Sequence, residues 1–444
     1  MLVSLTRVGA SRQTLGKTVA VLGADGSALT RQAGRLNAEP FDGVPGLYTV
    51  SLKSAWLGTL EARNRAFAEL ARSVVELASA TQQIGGAVVP AGIGLLGRPA
   101  LLGGDIHVIE VLSAVEQEVL VNLLRTKVPM LIAMTGRGVT ASGLPRDRTG
   151  SRWLAGSKAH LSTRYLASTE PAHLERIKAE LRRRDGISRL DRMDVTPAEM
   201  PDGTTAVAVR CVDSAASIPT ARAHALVLAA LALQARRLVR DGSRVGNAPQ
   251  RTLEENRARA IAYGLRARFE MPVQAGRRGE RSRETSPVDA RDAVRRMLLD
   301  LCPEFANLEA TAEELAPVIL PVELPRLGLR SVATDDEVLA GSARRGDSFL
   351  VATAAAGLAD STPGGHLLAS ATRAAPGRAS IVLGKWRSSI AEPRTASGGR
   401  PQQRERRSGQ QGRSQPPGQS RRDHRGPDDR RSDGTGGRTP KGNG

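Results

Sequence analysis

The chain reads as an α+β protein, and three observations point there. Short β-branched runs such as Thr18–Leu22 (TVAVL) and Thr205–Val212 (TAVAVRCV) alternate with long segments of helical period. These elements follow the order strand, strand, helix, strand, strand, helix, strand, helix, not the strict βαβα alternation of a doubly wound parallel sheet. No internal repeat of fixed period is visible.

The elements run as follows. Thr18–Leu22 is a strand ended by the turn Ala24-Asp25-Gly26-Ser27, and Leu47–Leu52 is a second strand. Thr59–Ala80 carries Leu60, Phe67, Leu70, Val74 and Leu77 at helical spacing, which predicts a long amphipathic helix. Ala87–Ala91 is a third strand. Asp105–Leu112 alternates as a fourth, with Ile106, Val108 and Glu110 on one face and His107, Ile109 and Val111 on the other. Ser113 caps a helix to Lys127, with Glu116 as its capping-box partner; Leu131–Met134 either extends it or opens a new element. Helices are also expected over Thr169–Arg184, Ala221–Arg240 and Leu253–Tyr263, the last stopping at Gly264.

The 444 residues allow two or three domains at roughly 150 residues each. The expected organisation is a main α+β domain over 1–273, an Arg-rich linker over 274–286 and a helical appendix over 287–339. A low-complexity, poorly ordered stretch follows over 340–393, then a disordered basic tail over 394–444. The tail holds thirteen Lys/Arg, five Asp/Glu and no Leu, Ile, Val, Met, Phe, Trp or Tyr, and supplies +8 of the formal +19. Without apolar side chains it cannot offset the entropy of ordering its backbone.

Two cysteines, Cys211 and Cys302, exclude a disulfide framework and a cysteine-rich metal site. The opening MLVSLTRVGASRQT has too short an apolar run for a secretory signal. The apolar stretch Ala221–Leu238 is broken by Arg222, His224, Gln234, Arg236 and Arg237, short of a membrane span. The expectation is a cytoplasmic protein with no membrane partner. Scarce aromatics, three Trp, three Tyr and five Phe, argue against stacking platforms for single-stranded nucleic acid. The segment SRQTLGKT (Ser11–Thr18) has Ser11 where a phosphate-cradling loop needs its first Gly.

Four segments in order resemble the ATP-dependent carboxylate–amine ligases that include the bacterial type of glutamate–cysteine ligase. They are TVAVLGADGSAL with YTVSLKSAWLGTLEARNRAFAELARSVVEL; GGDIHVIEV with PMLIAMTG; RMDVTP with TTAVAVRCVDSAASIPTARAHALVLAALA; and ENRARAIAYGLRARF. The resemblance covers roughly Leu15 to Phe269. It implies a glutamine-synthetase-like fold: a curved, mainly antiparallel sheet with helices on one face and a concave face holding ATP, Mg²⁺ and an amino-acid or other small carboxylate. The implied chemistry phosphorylates the carboxylate and lets an amine attack the acyl phosphate.

Such chemistry needs metal ions held by carboxylate oxygens. By the same resemblance, the family's strand glutamates fall on Thr18, Ala20, Ser51 and Ala208, and the arginine of its Asp-Val-Arg-Pro segment on Thr196. The acids that remain as metal candidates are Glu110, Asp105 and Asp194. Nucleotide- or substrate-binding candidates are His107, Arg152, Arg210 and Asp213, with Arg210 suited to gripping a phosphate or carboxylate. Each also suits an ordinary structural role: an ion pair at a sheet edge, a satisfied strand histidine, a surface Arg beside a buried Trp. Three functions stay open: an amide-forming ligase, a non-catalytic binding protein of the same fold, and a nucleic-acid binder using the tail.

Overall fold

The computed structural model describes residues 12–23, 38–41, 44–51, 59–93, 95, 101–136, 150–156, 160–200, 202–272, 285–323, 335–359 and 378–391. The turn at 24–27, most of the expected linker over 274–286 and the tail over 394–444 lie outside the described residues.

The architecture is α+β, as the residue pattern predicts. The sheet is built from β1 (Gln13–Leu22), β2 (Ala38–Pro40), β3 (Leu47–Ser51), β4 (Ala87–Pro90), β5 (Gly104–Glu110), β6 (Val195–Glu199) and β7 (Thr205–Asp213), and these strands pair antiparallel throughout. The strand order is β2-β3-β1-β5-β7-β6. β1 is long enough to serve two partners along one edge: Gln13–Gly16 pair with Ile106–Ile109 of β5, and Val19–Leu22 with Ala87–Pro90 of β4.

Three long helices cover one face. They are α1 (Leu60–Gln83), α2 (Ala114–Thr135) and, once two shorter helices have passed, α3 (Arg152–Gly156) and α4 (Pro171–Asp185), the central α5 (Ile218–Arg240). Thr59 and Ser113 accept hydrogen bonds from Ala62 N and Glu116 N and fix the starts of α1 and α2. Glu116 Oε2 in turn accepts from Leu112 N, one residue ahead of the cap. Leu131–Met134 continues α2. Phe67, Leu70, Val74 and Leu77 of α1 pack on Leu15, Val19 and Val21 of β1. Complete burial of a side chain of this size contributes about 1.5–3 kcal/mol. Ile109, Val195, Val207 and Val209 carry the second half of the same interface, against α2 and α5. Among the described residues α5 alone is long and apolar enough to cross a membrane, and 83% of its apolar window is buried inside the protein. It is the core helix of this fold.

Then follow α6 (Gln250–Tyr263) and a hairpin of β8 (Arg268–Pro272) and β9 (Thr285–Asp289), whose second strand begins inside the segment expected to be linker. Asn256 of α6 holds β8 with both ends of its amide, donating to Glu270 O and accepting from Glu270 N, each at 2.8 Å.

The region expected to be an appendix is bound into the body. It comprises α7 (Ala290–Asp300), α8 (Cys302–Asn307) and α9 (Ala312–Glu323). Glu314 caps α9 through Thr311, which accepts from Glu314 N as Glu314 accepts from Thr311 N. The same carboxylate takes Arg63 of α1, at 2.7 and 2.9 Å, and Arg222 of α5. All three side chains are buried.

Within the stretch 340–393, expected to be poorly ordered, the described residues are largely helical. α10 (Asp335–Ala343) crosses into it, and α11 (Asp347–Ala359) and α12 (Arg378–Ala391) lie within it, with Leu350, Ala354, Leu358, Val382, Leu383 and Trp386 buried. Its Ala-rich composition reads as low complexity, yet small side chains let a helix pack close: Leu358 joins the α1–β1 core, and Trp386 Nε1 donates to Glu323 Oε1 at 2.9 Å.

Candidate functional site

The register of the sheet decides which residues share its outer face, the one turned away from α1, α2 and α5. Leu15, Val19 and Val21 point to α1, so the pleat turns Gly16, Thr18 and Ala20 outward. Their cross-strand partners follow: Ser51, Thr49 and Leu47 on β3, and Ile106 opposite Gly16 on β5. Val108 pairs with both Thr14 and Ala208, and Ala208 with Thr196.

β7 bulges opposite Ile106, because Asp105 pairs with Val212 while His107 pairs with Val209. The extra residue changes the alternation, as bulges do. Arg210 is outward before the bulge, and Asp213, paired with Gly104, is outward after it. Arg210 Nη1 donates to Thr196 Oγ1 at 2.9 Å. Asp213 accepts from Ser151, whose hydroxyl also caps α3 through Leu154 N. Trp153 lies so close to Gly104 that an added Cβ would come within 2.6 Å of its Nε1, so only glycine fits there. The Trp153 ring meets Phe41 and His160 edge-on, with centroids 5.8 and 5.0 Å away. Arg152 begins α3, one residue before that tryptophan.

Thr18, Ala20, Ser51 and Ala208, where the resemblance places glutamates, all lie on this outer face. Ser51 is exposed; Thr18, Ala20 and Ala208 are wholly buried. Ala20 belongs to an apolar cluster with Phe41, Leu47, Val89, Leu339 and Leu350, and Thr18 donates its hydroxyl to Gly104 O. The centre of this face therefore carries methyls and hydroxyls.

The candidate acids stand apart, each held by a cation. Asp105 turns inward, where Lys17 Nζ lies 3.1 Å from its Oδ1 and both side chains are fully buried. Thr18 N and Ala215 N donate to the same carboxylate at 3.0 Å. Glu110 is on the outer face at the end of β5, where Arg12 reaches it through Nε, Nη2 and its backbone N. Those bonds hold its pKa below the ordinary carboxylate value, against a smaller opposing effect of burial. Asp194 is gripped by Arg257 from α6 through Nε at 2.6 Å and Nη2 at 2.8 Å. Burial works to raise its pKa, but the guanidinium prevails and holds it down. His160 Nδ1 stands 3.8 Å from Asp194, beyond hydrogen-bond range.

His107 also turns inward and does not share a face with Glu110, as strict alternation predicts. Burial, and then the charge on Lys17, pushes its pKa down to about 3. His224 of α5 is driven to about 3 by burial, with Asp105 pulling the other way. Both rings are neutral, and Gln13 Nε2 lies 3.4 Å from His107 Nδ1.

Sequence reasoning missed the cations. Lys17, Arg12 and Arg257 neutralise the three acids it proposed as metal ligands, and a Lys in a strand carries no local sign that it points into the core. Mg²⁺ demands several oxygen ligands, and the described outer face offers no group of acids: among the described residues no three His, Cys, Asp or Glu side chains gather in a way that holds a metal. The donor set does not fit the Mg·ATP that the resemblance implies.

The fold and its outer face define an antiparallel sheet backed by helices, with Arg210 and Asp213 brought to one side by a bulge. No protein-family model matches the chain, and no curated protein does. Two solved structures are similar at a TM-score of 0.48. One is the crystal structure of the complex between prokaryotic ubiquitin-like protein Pup and its ligase PafA, with 10% identity over 84% of this chain and 79% of that one. The other is a bifunctional glutathione synthetase from Pasteurella multocida, with 14% identity over 78% of this chain and 51% of that one.

Proposed function

We propose that the chain is a carboxylate–amine ligase-like protein without metal-assisted catalysis, and that it acts as a non-catalytic binder of a small oxyanion at Arg210. The phosphate of a nucleotide or the carboxylate of an amino acid supplies that chemistry. One observation carries the reading: Thr18, Ala20, Ser51 and Ala208 share a face by register, and none can ligate a metal as a carboxylate does. Phosphoryl transfer relies on metal ions to neutralise charge on the phosphates. Arg210 and the hydroxyl of Thr196 offer binding without that neutralisation.

Titration of ATP into the full chain tests this, with and without Mg²⁺. Weak binding is expected, insensitive to the metal and lost in Arg210→Ala, with no ADP formed from glutamate plus cysteine or other amines. Steady Mg²⁺-dependent ADP production would overturn the reading, and amide variants of Glu110, Asp105, Asp194 and Asp213 would then identify the metal ligand.

The composition of residues 394–444 supports a second reading, nonspecific nucleic-acid binding. Thirteen cationic side chains without apolar neighbours bind phosphate backbones through counterion release. Affinity for random RNA should fall steeply with salt and vanish when that segment is removed; binding that survives both changes rejects it.

A further inference from the structure

Among the described residues, each buried cation but one meets a carboxylate. Lys17 has Asp105, Arg63 and Arg222 share Glu314, Arg236 has Glu116, and Arg164 has Glu254 and Asp185. Arg125, in the middle of α2 and only 2% exposed, has none. Its guanidinium donates to Ala248 O at 2.8 Å and to Gln250 Oε1 at 2.8 and 3.2 Å, and its face lies over the Tyr165 ring at 5.8 Å. Those partners are neutral. A buried charge without a counterion is costly.

The surroundings favour an anion. Ala248 and Gln250 flank the start of α6, so the guanidinium sits at that helix's N-terminus. The cap residue there is Pro249, no side chain caps the first turn, and no acid lies in it. The first-turn N–H groups and the helix dipole attract negative charge. Arg164 is the neighbouring cation, itself buried, and its Nε is unpaired, as is Arg125 Nη1. Glu254 and Asp185 are partly exposed and both pair directly with Arg164; Glu254 acts on Arg125 only through space and through Gln250, without a direct ion pair.

We infer that Arg125, Arg164 and the N-terminus of α6 form a site for a small inorganic anion of chloride size, separate from the Arg210 face. Near-complete burial of both arginines selects a compact ion over an extended ligand. The ion ties the middle of α2 to the first turn of α6 and to the segment carrying Arg164.

The test is thermal melting of the full chain in sodium chloride against sodium gluconate at matched ionic strength. Wild type should show a saturable chloride-specific rise in Tm of roughly 2–4 °C, and Arg125→Met should lose it. Because that variant alters the core, crystals of the wild-type chain soaked in bromide supply the second measurement. An anomalous peak within hydrogen-bond distance of Arg125 Nη1 is expected. Equal response to chloride and gluconate, a chloride response retained in Arg125→Met, or a bromide map without that peak would each overturn the assignment.

Discussion

Arg210 and Asp213 face the same side of the sheet although three positions separate them, because β7 carries an extra residue opposite Ile106. In a regular strand an odd separation places two side chains on opposite faces. The bulge sets the cation beside Thr196 and the acid against Ser151, on one surface. Arg210→Ala should therefore weaken oxyanion binding while leaving the Ser151–Asp213 contact and the fold intact.

The buried histidines predict a pH dependence. An unfolded histidine titrates near about 6.5, whereas His107 and His224 are held to about 3 in the folded chain. Between those values the unfolded state binds more protons. Stability thus rises with pH across that window and falls as pH drops from about 6.5 toward about 3, by up to about 1.4 kcal/mol per pH unit for each histidine. Urea unfolding between pH 7 and 4.5 measures the slope. His224→Leu should flatten it; an unchanged slope rejects the assignment.

Asp194 and Arg257 predict a different window. The folded pKa of Asp194 is lowered, so its contribution is present above the unfolded value of about 3.9 and is lost as pH falls through the folded value. Asp194→Asn leaves Arg257 buried without a counter-charge and should cost about 3–5 kcal/mol. The double variant Asp194→Leu, Arg257→Met should recover much of that loss in denaturant titrations.

Much of the main domain was legible in its residues. The apolar spacing of Phe67, Leu70, Val74 and Leu77 marks α1, and alternation in Asp105–Glu110 separates His107 from Glu110 correctly. β2 and β6 escaped notice for one reason: both are sheet edges, where short strands and prolines such as Pro40 and Pro197 are tolerated. The site was less legible. Arg12, Lys17 and Arg257 are 98, 88 and 63 positions from the acids they hold, and no local pattern records such pairings.

The C-terminal helices supply a fourth prediction. Trp386 is 3% exposed and bonded to Glu323, so Trp386→Ala should cost about 3–5 kcal/mol. Truncation after Ala359 removes α12 entirely and should lower Tm at least as far. Removal of residues 394–444 alone should leave Tm within a few degrees, a comparison that differential scanning calorimetry makes directly.

The outer face yields the sharpest test, because it asks whether carboxylates fit where the ligase resemblance puts them. Ala20 and Ala208 are fully buried, so Ala20→Glu forces a charged group into the apolar cluster of Phe41, Leu47 and Leu350, and Ala208→Glu forces one into a closed site whose nearest cation on the face is Arg210, already bonded to Thr196. Each should destabilise the chain by about 4 kcal/mol or more. Ser51 is exposed, and Ser51→Glu should stay within about 0.5 kcal/mol of wild type. Chemical denaturation ranks the three. If Ala20→Glu and Ala208→Glu folded with wild-type stability, the face would have to open to water in solution. Acids placed there would then have room for Mg²⁺, and gain of Mg²⁺-dependent ATP binding in the triple variant would show that this face holds the metal once carboxylates are supplied.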